Sequence, residues 1–213
     1  MRSQKVERPQ MGWSLWLRWV LATVAGFTLT RVVGVPVGLI AGSIIAAWAV
    51  GGVPEDKMEN IVSWVVFGVV AYGLAGAATG MMQWLILRRH LKGASWWVLS
   101  SALSFAMGAA LGFLASGLLE VLGTPTGAFL IIVASGPVVG TAQWVVLRRQ
   151  VYRAGWWILA TSLAWGLGWS IELLTGSLAF VASGIVVAAI TGAVLVWLLR
   201  RPAPSVESIA TTP

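Results

Sequence analysis

The sequence predicts an all-α integral membrane protein with six transmembrane helices, arranged as three parallel two-helix repeats. Composition is the first indication, because 58% of the 213 residues are hydrophobic and only 10% are charged, whereas about 25% of the residues in a soluble domain are charged. The second indication is a series of long uncharged stretches, and the third is a motif that recurs along the chain. Parallel repeats are related by an axis along the membrane normal, so a pseudo-threefold bundle is one natural arrangement.

The uncharged stretches have the length of membrane spans. A transmembrane helix needs about 20 predominantly apolar residues. The stretch before Glu172 is marginal, because this glutamate interrupts it. The stretches cover residues 61–87, 93–119, 121–147, 154–171 and 173–199.

The repeated motif is Gly-x-x-Gln-Trp-x-x-Leu-Arg-Arg, and its first two copies lie at 80–89 and 140–149. Each of these copies is followed by Trp-Trp-x-Leu, at 96–99 and 156–159. A third copy keeps Gly192 and the Arg-Arg pair, but it has Leu195 and Val196 in place of Gln and Trp. Each unit is interpreted as an outgoing helix that begins at a Trp and a returning helix that ends at Leu-Arg-Arg. The units cover about residues 13–89, 94–149 and 154–201, between a cytoplasmic N-terminal segment at 1–12 and a disordered cytoplasmic tail at 202–213.

Residues 32–54 form an uncharged extension that only the first unit has. A separate span over residues 37–50 would be short, and it would place the Arg-Arg pairs on opposite sides of the membrane. Six spans are therefore preferred. The first helix is then either overlong and kinked at Pro36, or followed by a re-entrant or interfacial helix.

The distribution of charge predicts the orientation in the membrane. In this topology the Arg-Arg pairs and the basic N-terminus lie on one side, and acidic residues such as Glu55, Asp56 and Glu120 lie on the other. The positive-inside rule then places both termini in the cytoplasm. Trp residues favour the boundary of a membrane, and ten of the 14 cluster near the basic side: Trp13, Trp16, Trp19, Trp84, Trp96, Trp97, Trp144, Trp156, Trp157 and Trp197.

The most informative charges are Arg31 and Glu172, because an ionisable residue inside a membrane span is a functional hypothesis by default. They follow the first Trp of their units by 12 and 15 residues, which is about 18–22 Å along a helix. Three interpretations stay open. The two residues pair between the first and third hairpins, or they line a polar pore mouth, or they only order helix ends at the outer interface.

Gln83 and Gln143 complete the candidate intramembrane polar site. Each lies about one turn inside an Arg-Arg pair, where an amide needs a hydrogen-bond partner. We expect each glutamine to tie its hairpin to the next helix. The alternative is that both amides face a shared polar cavity.

The Arg-Arg pairs are interpreted as topology signals whose side chains reach towards lipid phosphates. Together with the neighbouring tryptophans, they are candidate contacts to anionic lipid headgroups at the cytoplasmic leaflet. These residues are Arg88, Arg89, Arg148, Arg149, Arg200, Arg201, Trp84 and Trp144.

Several function classes receive no support from the residues. The chain has no cysteine, which excludes disulfides, thiolate metal sites and thiol catalysis. The single histidine, His90, directly follows Arg89, and no metal-ligand motif or phosphate-binding loop occurs. The protein is therefore expected to be non-enzymatic, without metal or cofactor. Its net charge of +7 reflects membrane topology and not nucleic-acid binding.

The repeated motif, between about Trp13 and Arg201, resembles that of a group of uncharacterised bacterial multi-pass membrane proteins built from tandem copies of this pattern. The resemblance implies a location, the bacterial inner (cytoplasmic) membrane, and a multi-pass architecture, but no activity. The leading hypothesis is a scaffold or accessory subunit that packs with lipids, with other membrane proteins or with further copies of itself. The alternative is a small transporter or channel, and its polar pathway between the hairpins would be lined by Arg31, Glu172, Gln83, Gln143, Thr79 and Thr141.

Overall fold

The computed structural model describes residues 12–50, 57–121, 127–176 and 180–200, which are helical apart from short turns and helix ends. A π-helical segment, Thr30–Gly34, joins the first two helices. The helices are α1 (Trp13–Leu29), α2 (Val35–Val50), α3 (Lys57–Leu87), α4 (Ser95–Val121), α5 (Gly127–Leu147), α6 (Trp156–Thr175) and α7 (Phe180–Leu199). The predicted all-α class is therefore confirmed for the described residues.

Five helical runs of the described chain are long and apolar enough to cross a membrane. This confirms the prediction of a helical membrane protein. The runs are Trp13–Ile45, Ile61–Leu87, Ser95–Leu119, Trp156–Thr175 and Phe180–Leu199. Between the third and the fourth of them lies α5, a further helix of 21 residues.

The helices pack as a closed ring. From α3 to α7 each helix contacts the next one along the chain, and α1 contacts both α3 and α7. Among the described elements, α2 packs only on α3 and on the π-helical segment. The starts of α1, α4 and α6 meet the ends of α3, α5 and α7 in one buried cluster. We call this the arginine end, because the Arg-Arg pairs follow it, and we call the opposite end the far end.

The first helix continues through the extension of unit one and does not turn back as a re-entrant or interfacial segment over residues 32–50. Pro36 lacks an amide hydrogen, and its ring crowds the carbonyl of Val32, so a regular α-helical turn is unfavourable there. The wider π-helical turn directly before it accommodates the proline. Residues 51–54 of the extension lie outside the described residues, as do both predicted terminal segments and the acidic Glu55 and Asp56.

Glycines allow neighbouring helices to approach closely. A Cβ added to Gly38 would overlap Ala71, so this part of α2 lies directly against α3. The motif glycines act in the same way within the ring. A Cβ on Gly80 of α3 would lie 2.8 Å from the Cβ of Ser101 on α4.

Candidate functional site

Three tryptophans meet at the centre of the ring near the arginine end. Trp19 on α1, Trp97 on α4 and Trp157 on α6 contact one another edge to face, with ring centroids 6.0, 5.9 and 5.5 Å apart. Their exposed fractions are only 0%, 0% and 1%. The three tryptophans lie at the arginine end, where the sequence places them, but their side chains fill the axis of the helix ring and are not exposed at a membrane boundary. Their neighbours Trp96 and Trp156 remain exposed.

A second aromatic layer lies two helical turns further from the arginine end. The rings of Phe27 and Phe105 both contact Trp165, with centroid separations of 5.7 and 5.1 Å. These three residues each follow one of the central tryptophans by eight positions, which brings them to the same helix face. Leucines of the returning helices surround the central tryptophans and are buried with them: Leu87, Leu147, Leu195 and Leu198.

Gln83 on α3 connects two neighbouring helices inside the ring. Its Oε1 accepts a hydrogen bond from Nε1 of Trp97 on α4, at 2.8 Å. Its Nε2 donates to Oγ1 of Thr23 on α1, at 3.1 Å. All three side chains are buried, so each polar group finds its partner inside the protein.

Gln143 on α5 repeats this arrangement one unit later. Its Oε1 accepts from Nε1 of Trp157 on α6, at 3.0 Å, and its Nε2 donates to Oγ of Ser101 on α4, at 3.0 Å. In both copies the amide ties the outgoing helix of its own hairpin to the outgoing helix of the next one, as expected from the sequence.

The third copy has lost the glutamine but keeps the hydrogen bond to the central tryptophan. Nε1 of Trp19 donates to Oγ1 of Thr191 on α7, at 3.1 Å. Thr191 lies one turn before Leu195, which occupies the position of the lost amide. Sequence reasoning missed Thr191, although a hydroxyl one turn from a substituted glutamine was the available signal.

Arg31 and Glu172 form an ion pair between the first and third hairpins. Nη2 of the arginine lies 2.6 Å from Oε2 of the glutamate. The other carboxylate oxygen accepts a hydrogen bond from Oγ of Ser183 on α7, at 2.6 Å. The guanidinium also lies 5.8 Å from the ring centroid of Phe180. The pair therefore connects the π-helical segment with both helices of the third hairpin.

The ion pair borders a small cavity between the aromatic layers and the far end. Its volume is about 40 Å³, which is room for a few water molecules at most. Tyr72 lies in its wall, and Phe27, Phe105 and Trp165 of the second aromatic layer also border it. The cavity is bounded on the side of the arginine end by packed rings.

The predicted pathway residues do not assemble around this cavity. Gln83 and Gln143 do not line it, since their amides bond to the central tryptophans. Thr79 is buried, and its hydroxyl has no hydrogen-bond partner, while Thr141 is exposed on the outside of α5. Of the six residues predicted to line a polar pathway, only Arg31 and Glu172 line this cavity.

The predicted lipid contacts lie at the outer edge of the arginine end. The guanidinium carbon of Arg88 lies 5.2 Å from the ring centroid of Trp84, and that of Arg148 lies 5.0 Å from that of Trp144. Arg89, Arg149 and Arg200 are exposed, whereas Arg201 lies outside the described residues. The first two copies of the motif thus place a cation over the face of an indole.

The described residues have few groups suited to cofactor or metal chemistry. His90 lies on the turn after α3, where its Nδ1 is 3.1 Å from the carbonyl oxygen of Ile86. Within the part of the chain that the structure describes, no three His, Asp or Glu side chains come together as a metal site would require. Comparison of the chain with protein-family models, with curated proteins and with solved structures finds no match.

Proposed function

We propose that this protein is a non-enzymatic scaffold or accessory subunit of a bacterial inner membrane. Its three parallel hairpins make six spans about a pseudo-threefold axis, with the arginine end and both termini in the cytoplasm. Equivalent residues of the three units, Trp19, Trp97 and Trp157, meet on that axis, which supports the threefold arrangement. The positive charge of the arginine end supports the orientation.

The observation that carries the proposal is the filled axis. Trp19, Trp97 and Trp157 are fully buried there, and a second aromatic layer packs beneath them. Conduction needs a continuous wet or polar path, and aromatic rings packed across the axis argue against such a path there. A bundle of this kind is suited to present its outer surface to other molecules.

The outer surface that we assign to a partner is the arm formed by α2. The run Trp13–Ile45 has 33 residues, about 50 Å of helix, whereas the hydrocarbon core is about 30 Å thick. The helices α6 and α7 have 20 residues each and match that thickness. The helix α3, on which α2 packs, is also longer than this thickness, with 31 residues. We therefore infer that the first helix and α3 together extend past the hydrocarbon at the far end.

The apolar side chains of this arm need a cover. Ile40, Ile44 and Trp48 are exposed, Trp48 to 87%. They follow Trp19 by 21, 25 and 29 residues, about 32–44 Å along a helix, which is beyond a hydrocarbon core about 30 Å thick. Exposed apolar patches of this kind mark interaction sites. A second membrane protein with an apolar segment above the bilayer surface is the occupant that we assign to the arm.

Cross-linking in native membranes tests this assignment. The chain has no cysteine, so Trp48→Cys supplies a single attachment point for a thiol-linked photo-cross-linker. We expect one discrete adduct with a different protein. Leu163→Cys is the matched control, because this exposed leucine lies on α6, which does not extend past the core. Adducts only with lipid, or with a second copy of the chain, would contradict an accessory subunit.

The second candidate function is a small transporter, favoured by the ion pair of Arg31 and Glu172 beside the cavity. Flux across vesicles that contain the purified protein separates the two functions. If the protein is a scaffold, vesicles that contain it should show the same flux as protein-free vesicles. Ion or proton flux that Glu172→Gln abolishes, in a folded variant, would favour the transporter.

A further inference from the structure

We propose that the groove between α1 and α3 at the arginine end binds one anionic phospholipid. The groove has a volume of about 440 Å³. It is bordered by the cationic and imidazole side chains of Arg18, Arg89 and His90, and by apolar side chains, among them Leu21 and Leu85. This combination fits a headgroup phosphate with an acyl chain below it. The inference concerns a different surface from the α2 arm, and it rests only on the membrane orientation in the proposed function.

The cations of the groove are available for a ligand. Arg18 and Arg89 are both exposed, and neither has a carboxylate partner among the residues that the structure describes. Arg31, in contrast, is neutralised by its glutamate. Two guanidinium groups on facing elements without counter-charge favour an anion between them, and guanidinium binds phosphate through paired hydrogen bonds.

The walls of the groove suit an acyl chain. Leu21 on α1 and Leu85 on α3 are exposed to 61% and 42%, and both border the groove together with Met82. Free phosphate would contact only the cationic rim. The apolar walls therefore favour a phospholipid over a soluble anion.

The three units differ at this position, which predicts one site and not three. Alignment of the units places Trp96 and Trp156 where the first unit has Arg18. Gln150 occupies the position of His90, and its amide is engaged with the backbone of Lys92, donating and accepting at 2.7 Å. Among the described helices, only the first unit thus has a cation near the start of its outgoing helix, Arg18 on α1, together with an arginine after the end of its returning helix, Arg89 after α3.

Lipid titration of the purified full chain tests the site. In a mild non-ionic detergent we expect native mass spectrometry to show one tightly bound phosphatidylglycerol and no comparable binding of phosphatidylcholine with the same acyl chains. Arg18→Gln and Arg89→Gln are each expected to weaken this binding about fivefold, the effect of one basic residue near an anionic lipid. Inorganic phosphate should not compete.

Two further variants separate this site from general attraction to the arginine end. Arg149→Gln removes the equivalent of Arg89 in the second unit and should leave the affinity unchanged. Leu85→Trp fills the groove while keeping both arginines, and it should abolish binding. Equal loss in Arg149→Gln and Arg89→Gln, equal binding of phosphatidylcholine, or full binding by a folded Leu85→Trp variant would each overturn the proposal. None of these outcomes affects cross-linking at Trp48, so the two proposals fail separately.

Discussion

Arg31 and Glu172 are 141 residues apart in the sequence, yet Nη2 of the arginine lies 2.6 Å from Oε2 of the glutamate. The contact forms where the ring closes, because α1 packs against α7 and the π-helical segment brings the arginine to the third hairpin. The glutamate is the more deeply placed partner, with 14% of its side chain exposed against 37% for the arginine. Desolvation therefore acts mainly on the glutamate.

Loss of either charge is expected to destabilise the bundle. Because the arginine is partly exposed, Arg31→Gln or Glu172→Gln should cost about 1–3 kcal/mol, less than a fully buried pair. The exchange Arg31→Glu with Glu172→Arg should recover much of this loss, since the charges can pair in reverse. Unfolding in sodium dodecyl sulfate measures the free energies. An exchange variant no more stable than the single charge reversals would show that the pairing does not stabilise the fold.

The two motif glutamines are expected to differ in importance. Thr79 lies at the position of Thr191, and its buried hydroxyl has no partner. In Gln83→Leu the indole of Trp97 can therefore bond to that hydroxyl, as Trp19 bonds to Thr191. Val139 stands at the equivalent position beside Gln143 and offers no such acceptor.

Gln143→Leu should thus cost about 1 kcal/mol more than Gln83→Leu, the net contribution of one hydrogen bond. Equilibrium unfolding of both variants measures this difference. The double variant Gln83→Leu with Thr79→Val is the control, and it should match Gln143→Leu. If Gln83→Leu is the more damaging single change, Thr79 does not replace the amide.

The sequence predicted the parts of this architecture that depend on local pattern. The Leu-Arg-Arg copies located the ends of α3, α5 and α7, and the glutamines were expected to tie neighbouring hairpins. It could not predict that α2 continues α1, because Pro36 is compatible with a break, a kink or a π-helical turn. The sequence also could not predict that Trp19 lies on the central axis, because a tryptophan at the start of a span suits a membrane boundary as well as a buried axis.

The turns after the first two motif copies each contain one residue in the left-handed backbone region. Substitution of this residue is expected to change the stability of the protein in opposite directions in the two turns. Gly93 has φ of 66°, and Arg153 at the equivalent position has φ of 59°. A side chain costs about 1 kcal/mol in this region. Gly93→Ala should therefore destabilise the protein by about that amount, whereas Arg153→Gly should stabilise it.

The apparent melting temperatures of both variants in detergent measure these changes in stability. Gly155→Ala is the matched control, because this glycine has φ of −58° and no atom lies within 4 Å of an added Cβ. Its melting temperature should stay the same or rise slightly. A lower melting temperature for Arg153→Gly would mean that contacts of its side chain, such as that with Tyr152 at 5.3 Å, exceed the backbone strain.

Two adjacent tryptophans at the start of α4 allow a direct comparison of how much a buried indole on the axis and an exposed indole contribute to stability. Trp97 is fully buried and donates to Gln83, while Trp96 is 65% exposed. Trp97→Phe leaves Oε1 of the glutamine without its donor and leaves space between the central rings. The loss should be about 2–4 kcal/mol, from one buried acceptor and one under-filled core position.

Trp96→Phe changes a ring that faces the surroundings of the bundle, so its cost should stay below about 0.5 kcal/mol. Unfolding free energies of the two variants give the comparison directly, because both changes are chemically the same and one residue apart. Similar small losses would place both indoles at a membrane boundary, where phenylalanine loses little. A large loss confined to Trp97→Phe would tie the stability of the fold to the same indole contacts that fill the axis.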